Sequence, residues 1–136
     1  MKAPILYVTD MDRRRLGLLI AHRTTCTGSD ERRIDQLEAR LESAQSVAPE
    51  LAPENLVTMN SAVVLVNPLT GKTRRVTLAY PDDLDLFDDG ASIFEPLGMA
   101  LIGRQVGELV QCPDSPVLLR LAEISYQPEK AGALHL

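Results

Sequence analysis

From Ala48 to Asn55 the chain reads APELAPEN, and the hydrophobic period differs on its two sides. Pro49 and Pro53 each push the preceding residue away from helical backbone, so a helix entering this stretch has to stop. Before it, apolar residues recur every three or four positions; after it, β-branched residues cluster in short runs. A chain divided in this way is neither one helical array nor one sheet. It is a helical unit followed by a unit of another kind, and 136 residues suffice for two small units.

Upstream, PILYVT reads as a short strand or an extended lead-in. Asp10 is a good N-cap for a helix over MDRRRLGLLIAHR. Leu16, Leu19 and Ile20 lie at helical spacing, with Arg13 to Arg15 mostly on the other face. Gly17 weakens that helix by about 1 kcal/mol relative to Ala. TTCTGSD interrupts it, and Ser29 or Asp30 caps a second helix, DERRIDQLEARLESAQSV. Its Ile34, Leu37, Leu41 and Ala44 repeat at heptad spacing. The pattern predicts a short antiparallel helical hairpin, a brief coiled coil, over residues 1–48. Leu16, Leu19, Leu37 and Leu41 form its seam.

Residues 49–56 read as a linker. Beyond it, VTMNSAVVLVN and TRRVTLAYP read as strands joined by the turn PLTGK. DDLDLFDDG is an acidic loop and ASIF a short strand. EPLGMALIG is a short helix with Pro96 at its first position and Gly103 just past its end. RQVGELVQC turns at Gly107 into another strand. PVLLRLAEISY alternates, with Leu119 and Leu121 on one face and Arg120, Ala122 and Ile124 on the other. The order predicts an α+β chain whose second unit, residues 57–130, is an antiparallel sheet with one short helix; residues 131–136 are a tail.

Composition narrows the functional classes. With 45% hydrophobic and 24% charged residues the chain can bury a core, unlike a disordered one. No apolar run approaches the ~20 residues of a membrane span, and the N-terminus lacks the pattern of a signal peptide, so the expected location is cytoplasmic. The net charge of −5 is uneven. Residues 1–47 hold eight basic and seven acidic side chains, the remainder six and twelve. An acidic second half disfavours nucleic acid there and suits a basic protein partner.

No catalytic constellation emerges. Cys26 and Cys112 are far apart and lack metal-ligand spacing; His22 and His135 are equally isolated. Asp82, Asp83, Asp85, Asp88 and Asp89 fail as a calcium loop, because Phe87 and Pro96 stand where oxygen ligands are required. They read as a solvated loop or a patch facing a partner. Arg13 to Arg15 read as a solvated helix face rather than a nucleic-acid contact, having no interleaved aromatics. Asp30 and Glu31 suit a helix N-terminus, where the dipole favours anions, as well as they suit a metal. There is no phosphate-binding glycine loop and no nucleophile paired with a base. No cofactor or metal is expected.

Four segments carry a resemblance: VTMNS at 57–61, TLAYP at 77–81, PLGMALIG at 96–103 and VGE at 106–108. Their order and spacing are similar to the C-terminal domain of the bacterial transcript-cleavage (Gre) factors. EISYQPEKAG near the end, with the short hairpin, resembles the regulator of nucleoside diphosphate kinase (Rnk) family. The resemblance implies an FKBP-like C-terminal fold and a partner, bacterial RNA polymerase, bound at the rim of its secondary channel. The turn into the short helix would make the contact, which corresponds here to Phe94, Glu95, Pro96 and Leu97. Phe94 reads equally as an interface anchor or a core residue of its strand. A cleavage factor's hairpin is much longer. A second helix of roughly 17 residues extends only ~25 Å, so Asp30 and Glu31 are not assigned the metal-holding role. The implied function is a non-catalytic monomeric regulator that competes with cleavage factors, without sequence-specific DNA binding or membrane association. A genuine elongation or cleavage factor, and a prolyl isomerase suggested by the fold alone, are the alternatives.

Overall fold

The computed structural model describes residues 6–22, 29–111 and 118–131. Strand β1 (Tyr7–Thr9) runs directly into helix α1 (Asp10–His22). Helix α2 (Ser29–Ser43) follows, and β2 (Gln45–Val47) pairs in parallel with β1. The second helix therefore stops earlier than its heptad pattern suggests. Gln45 to Val47 leave the helix to form a strand, with Gln45 N–H donating to the Leu6 carbonyl at 2.8 Å. Cys26, Cys112 and His135 lie outside the described residues, as do the side chains of His22, Asp30 and Glu31.

Leu16 and Leu37 are fully buried, Ile20 and Leu41 nearly so, and Leu19, Ile34 and Ala44 pack partly against them. These residues form one cluster with the core of the sheet. Arg13 is not a solvated residue. It crosses to the end of α2, where Nη1 donates to the Leu41 carbonyl and Nη2 to the Ala44 carbonyl, each at 2.8 Å, and Nε to Ser46 Oγ at 2.7 Å. A cation there satisfies carbonyls that the helix end leaves unpaired.

The second unit contains β3 (Ala62–Val66), β4 (Thr73–Ala79), β5 (Gly90–Ser92), α3 (Pro96–Leu101), β6 (Leu109–Gln111), β7 (Leu118–Tyr126) and α4 (Pro128–Ala131). The sheet order is β5-β4-β3-β7-β6. Most pairs are antiparallel, as expected, but β4 and β5 pair in parallel. The 3-10 turn Pro81–Leu86, within the stretch read as an acidic loop, carries the chain back so that β5 enters in the direction of β4. A second short helix, α4, stands where the sequence suggested one helix only.

Two further expectations give way to local chemistry. The first strand does not begin at Val57. Residues 57–61 form a buried turn in which Asn60 takes φ 67°, a left-handed conformation that asparagine tolerates better than most residues. The strand begins at Ala62. On β7, Leu119 and Leu121 face the core, but so does Ile124, which simple alternation puts on the other face. The β3–β7 register shifts between Val64 and Leu65 and between Ala62 and Val63. Each shift places an extra residue on β7, and an extra residue reverses the facing of those after it.

Candidate functional site

Phe94 to Leu97 form the tight turn between β5 and α3, and the turn is held by its own side chains. Ser92 Oγ accepts the Phe94 N–H at 3.1 Å, and Glu95 Oε2 accepts the Ser92 N–H at 3.0 Å. The Ser92 carbonyl accepts the Glu95 N–H at 2.9 Å. Pro96 occupies the first helical position, where a missing N–H costs nothing. Glu95 is exposed and Pro96 partly so; Phe94 is half-buried against the core, and Leu97 is buried within it. The turn thus presents Glu95 and Pro96 outward and is anchored by Leu97. Phe94 lies beyond the end of β5 rather than within the strand.

Gly98 explains how α3 can sit so close to this turn. A Cβ at that position would lie 2.1 Å from the Ser92 carbonyl oxygen, a backbone atom unable to yield. Earlier in the chain, Asp82 and Asp85 of the 3-10 segment and Asp88 just after it are exposed. Asp89 is engaged internally, accepting from Thr77 Oγ1 at 2.9 Å and facing Arg75 at 3.3 Å.

A second constellation, whose members lie far apart in the sequence, joins α1 to the turn at residues 57–61 and to α4. Thr9 caps α1, its Oγ1 accepting the Asp12 N–H at 3.1 Å, so the cap is Thr9 and not Asp10. Asp12 is buried and reaches across to the 57–61 turn, where Oδ2 accepts the Met59 N–H at 3.0 Å. In that turn Ser61 Oγ accepts the Thr58 N–H at 3.0 Å and lies 2.9 Å from Thr58 Oγ1. Thr58 Oγ1 donates to Glu129 of α4 at 2.6 Å. Burial pushes the Asp12 carboxyl up to about 7; the Met59 hydrogen bond opposes this, nearby Glu129 adds to it, and Arg15 opposes it. Burial also raises the Tyr80 phenol above its usual range, with Asp12 adding to the effect and Arg15 opposing it. The sequence signal for this arrangement is the Thr9-x-x-Asp12 spacing, the pattern of a capping box. Here the acidic member bonds another unit instead of its own helix.

Residues 52–126 match the family described as transcription elongation factor, GreA/GreB, C-terminal. The chain is 34% identical over 135 residues to the regulator of nucleoside diphosphate kinase of Escherichia coli strain K12, spanning 97% of each chain. It is 31% identical over 99 residues to transcription elongation factor GreA of Thermodesulfovibrio yellowstonii, spanning 71% of this chain and 63% of that one. A solved prokaryotic transcription elongation factor GreA/GreB from Nitrosomonas europaea shares the fold with a TM-score of 0.74 and 32% identity, over 91% of this chain and 100% of that one. The chain belongs to the GreA/GreB transcription elongation factor family, and within it groups with the regulator of nucleoside diphosphate kinase. Its relatives are named as regulators and transcription factors, and among the described residues no helix is long and apolar enough to cross a membrane.

Proposed function

We propose that the chain is a non-catalytic regulator that binds bacterial RNA polymerase near its secondary channel and competes there with transcript-cleavage factors. The reading rests on kinship with GreA through the sheet unit, combined with the outward display of Glu95 and Pro96 and the exposed acidic stretch earlier in the chain. Exposed carboxylates attract a basic rim and speed encounter with it. The units proposed for this work are a hairpin over 1–48, a connection over 49–56 and a docking domain over 57–130.

The hairpin supports competition without cleavage. Helix α2 has 15 residues, a length of about 22 Å at 1.5 Å per residue. The GreA relative is the longer chain, since the shared 99 residues are a smaller share of it. Asp30 and Glu31, at the start of α2, would fall short of a distant active centre. The test uses stalled elongation complexes. The chain alone is expected to release no cleaved transcript, and added in excess to be dose-dependently inhibitory towards cleavage by GreA. Cleavage by the chain that depends on Asp30 and Glu31 would restore the alternative of a genuine cleavage factor.

A further inference from the structure

Between α2 and α3 lies a groove of about 330 Å3, lined among others by Ala39, Arg40, Pro96, Met99 and Arg104. Its floor holds an unusual pair of cations. Arg40 Nη2 donates to the Ile102 carbonyl at 3.1 Å and lies 3.5 Å from the Ala100 carbonyl. Arg104 Nε donates to that same Ala100 carbonyl at 3.1 Å. Two guanidinium groups therefore converge on the end of a six-residue helix.

Their charges are not balanced. Arg104 Nη1 stands 3.8 Å from Glu108, whereas Arg40 has no carboxylate within ion-pair distance among the described residues. Burial and the neighbouring Arg104 bring Arg40 down to about 10, with Glu108 opposing. Arg40 Nε and Glu108 Oε2 are both buried without a hydrogen-bond partner among the described residues. Both arginines line the groove, and the planar edge of a guanidinium matches the two oxygens of a carboxylate. Around it, Ala39, Met99, Pro96 and Ala100 supply apolar wall. A concave, mostly apolar site with a few convergent polar groups is the usual form of a small-molecule pocket, and its size is at the lower end of that class.

We propose that this groove binds a small organic carboxylate. The anion sits on Arg40 and Arg104, and a compact apolar body rests against Met99, Pro96 and Ala39. Two guanidiniums set against one carboxylate leave a single net positive charge, which suits one negative charge in the ligand. Because α2 belongs to the hairpin and α3 follows the turn at Phe94–Leu97, an occupant bridges the two units. The inference does not depend on polymerase binding.

The test is titration of the full chain with phenylacetate, followed by backbone amide shifts in NMR spectra. Saturable shifts are expected at Gln36, Ala39, Arg40 and Met99. Phenylacetamide, which has the same body without the charge, is expected to bind at least about tenfold more weakly, and so is inorganic phosphate, which lacks the body. Ala39→Trp fills the mouth of the groove from an exposed position and leaves the arginine hydrogen bonds in place. It is expected to weaken phenylacetate at least about tenfold with an unchanged thermal midpoint. Arg40→Gln is expected to weaken it similarly. Absence of saturable shifts in the wild-type chain, equal binding of phenylacetamide, or unchanged binding in a folded Ala39→Trp variant would each overturn the assignment.

Discussion

Two turns of this molecule are built with the same chemistry and face opposite ways. At 57–61, Ser61 and Thr58 hydroxyls satisfy backbone and side-chain donors, and every residue of the turn is buried. At 92–97, Ser92 and Glu95 side chains satisfy N–H groups in the same manner, yet Glu95 is exposed and Pro96 partly so. Both segments lie within the stretch that matches the GreA/GreB family. The difference lies in what each turn meets. The first receives Asp12 from the hairpin and is closed by Glu129 from α4. The second leaves Glu95 exposed and Pro96 at the edge of the groove between α2 and α3. One pattern ties α1 and α4 to the sheet, and the other displays a surface.

Changes that break this contrast should differ in kind as well as size. The largest effect is expected at Gly98, which allows α3 to approach the display turn. Gly98→Ala sets a Cβ against the Ser92 carbonyl and should cost about 4 kcal/mol, read as a lowered urea midpoint with an unchanged slope. A near-neutral result would mean that α3 does not sit where described.

The junction should carry a pH signature. Asp12 is held protonated to a higher pH in the fold than in the unfolded chain, from 3.8 up to about 7. Across that window the folded state binds the extra proton, so stability falls as pH rises and levels off above about pH 7. The Asp12 contribution to that fall is roughly 2–4 kcal/mol. Asp12→Asn keeps an acceptor for the Met59 N–H and removes the titration. It should match the wild type near pH 4 and exceed its stability above pH 7. Chemical denaturation at several pH values would show the two curves diverging; parallel curves would remove Asp12 as the sensor.

Thr58→Val should come next, at about 2 kcal/mol, because it strips a partner from both Ser61 and Glu129 in a buried place. At the display turn, Pro96→Ala should change stability by less than about 1 kcal/mol. A thermal melt of the two variants side by side makes the comparison.

Much of the architecture was legible in the sequence, for reasons that can be named. Leu16, Leu37 and Leu41 sit at helical spacing and are buried. Pro96 and Gly103 bound α3 as helix-end chemistry requires, with Gly103 at φ 80°. What escaped reading was long-range. Whether Thr58, Asn60 and Ser61 extend a strand or close a turn depends on Asp12, 47 positions from Met59. Arg13 looks solvated until the end of α2, about thirty positions away, arrives beside it. The parallel pairing of β5 and the extra residues on β7 leave no periodic trace, because each depends on how a neighbouring strand aligns. At the display turn, the side-chain bonds of Ser92 and Glu95 are local, within three positions in the chain, and local chemistry is what a sequence displays.

The proposed competition places this chain at the polymerase site used by cleavage factors, held there by the turn at Phe94–Leu97. The direct measurement is displacement of fluorescently labelled GreA from core RNA polymerase by the wild-type chain, by Pro96→Ala and by Thr58→Val, at a temperature where all three are folded. The account predicts complete displacement by the wild type, a weaker competitor in Pro96→Ala and wild-type behaviour in Thr58→Val. No displacement by the wild-type chain, or loss of competition in Thr58→Val alone, would contradict it.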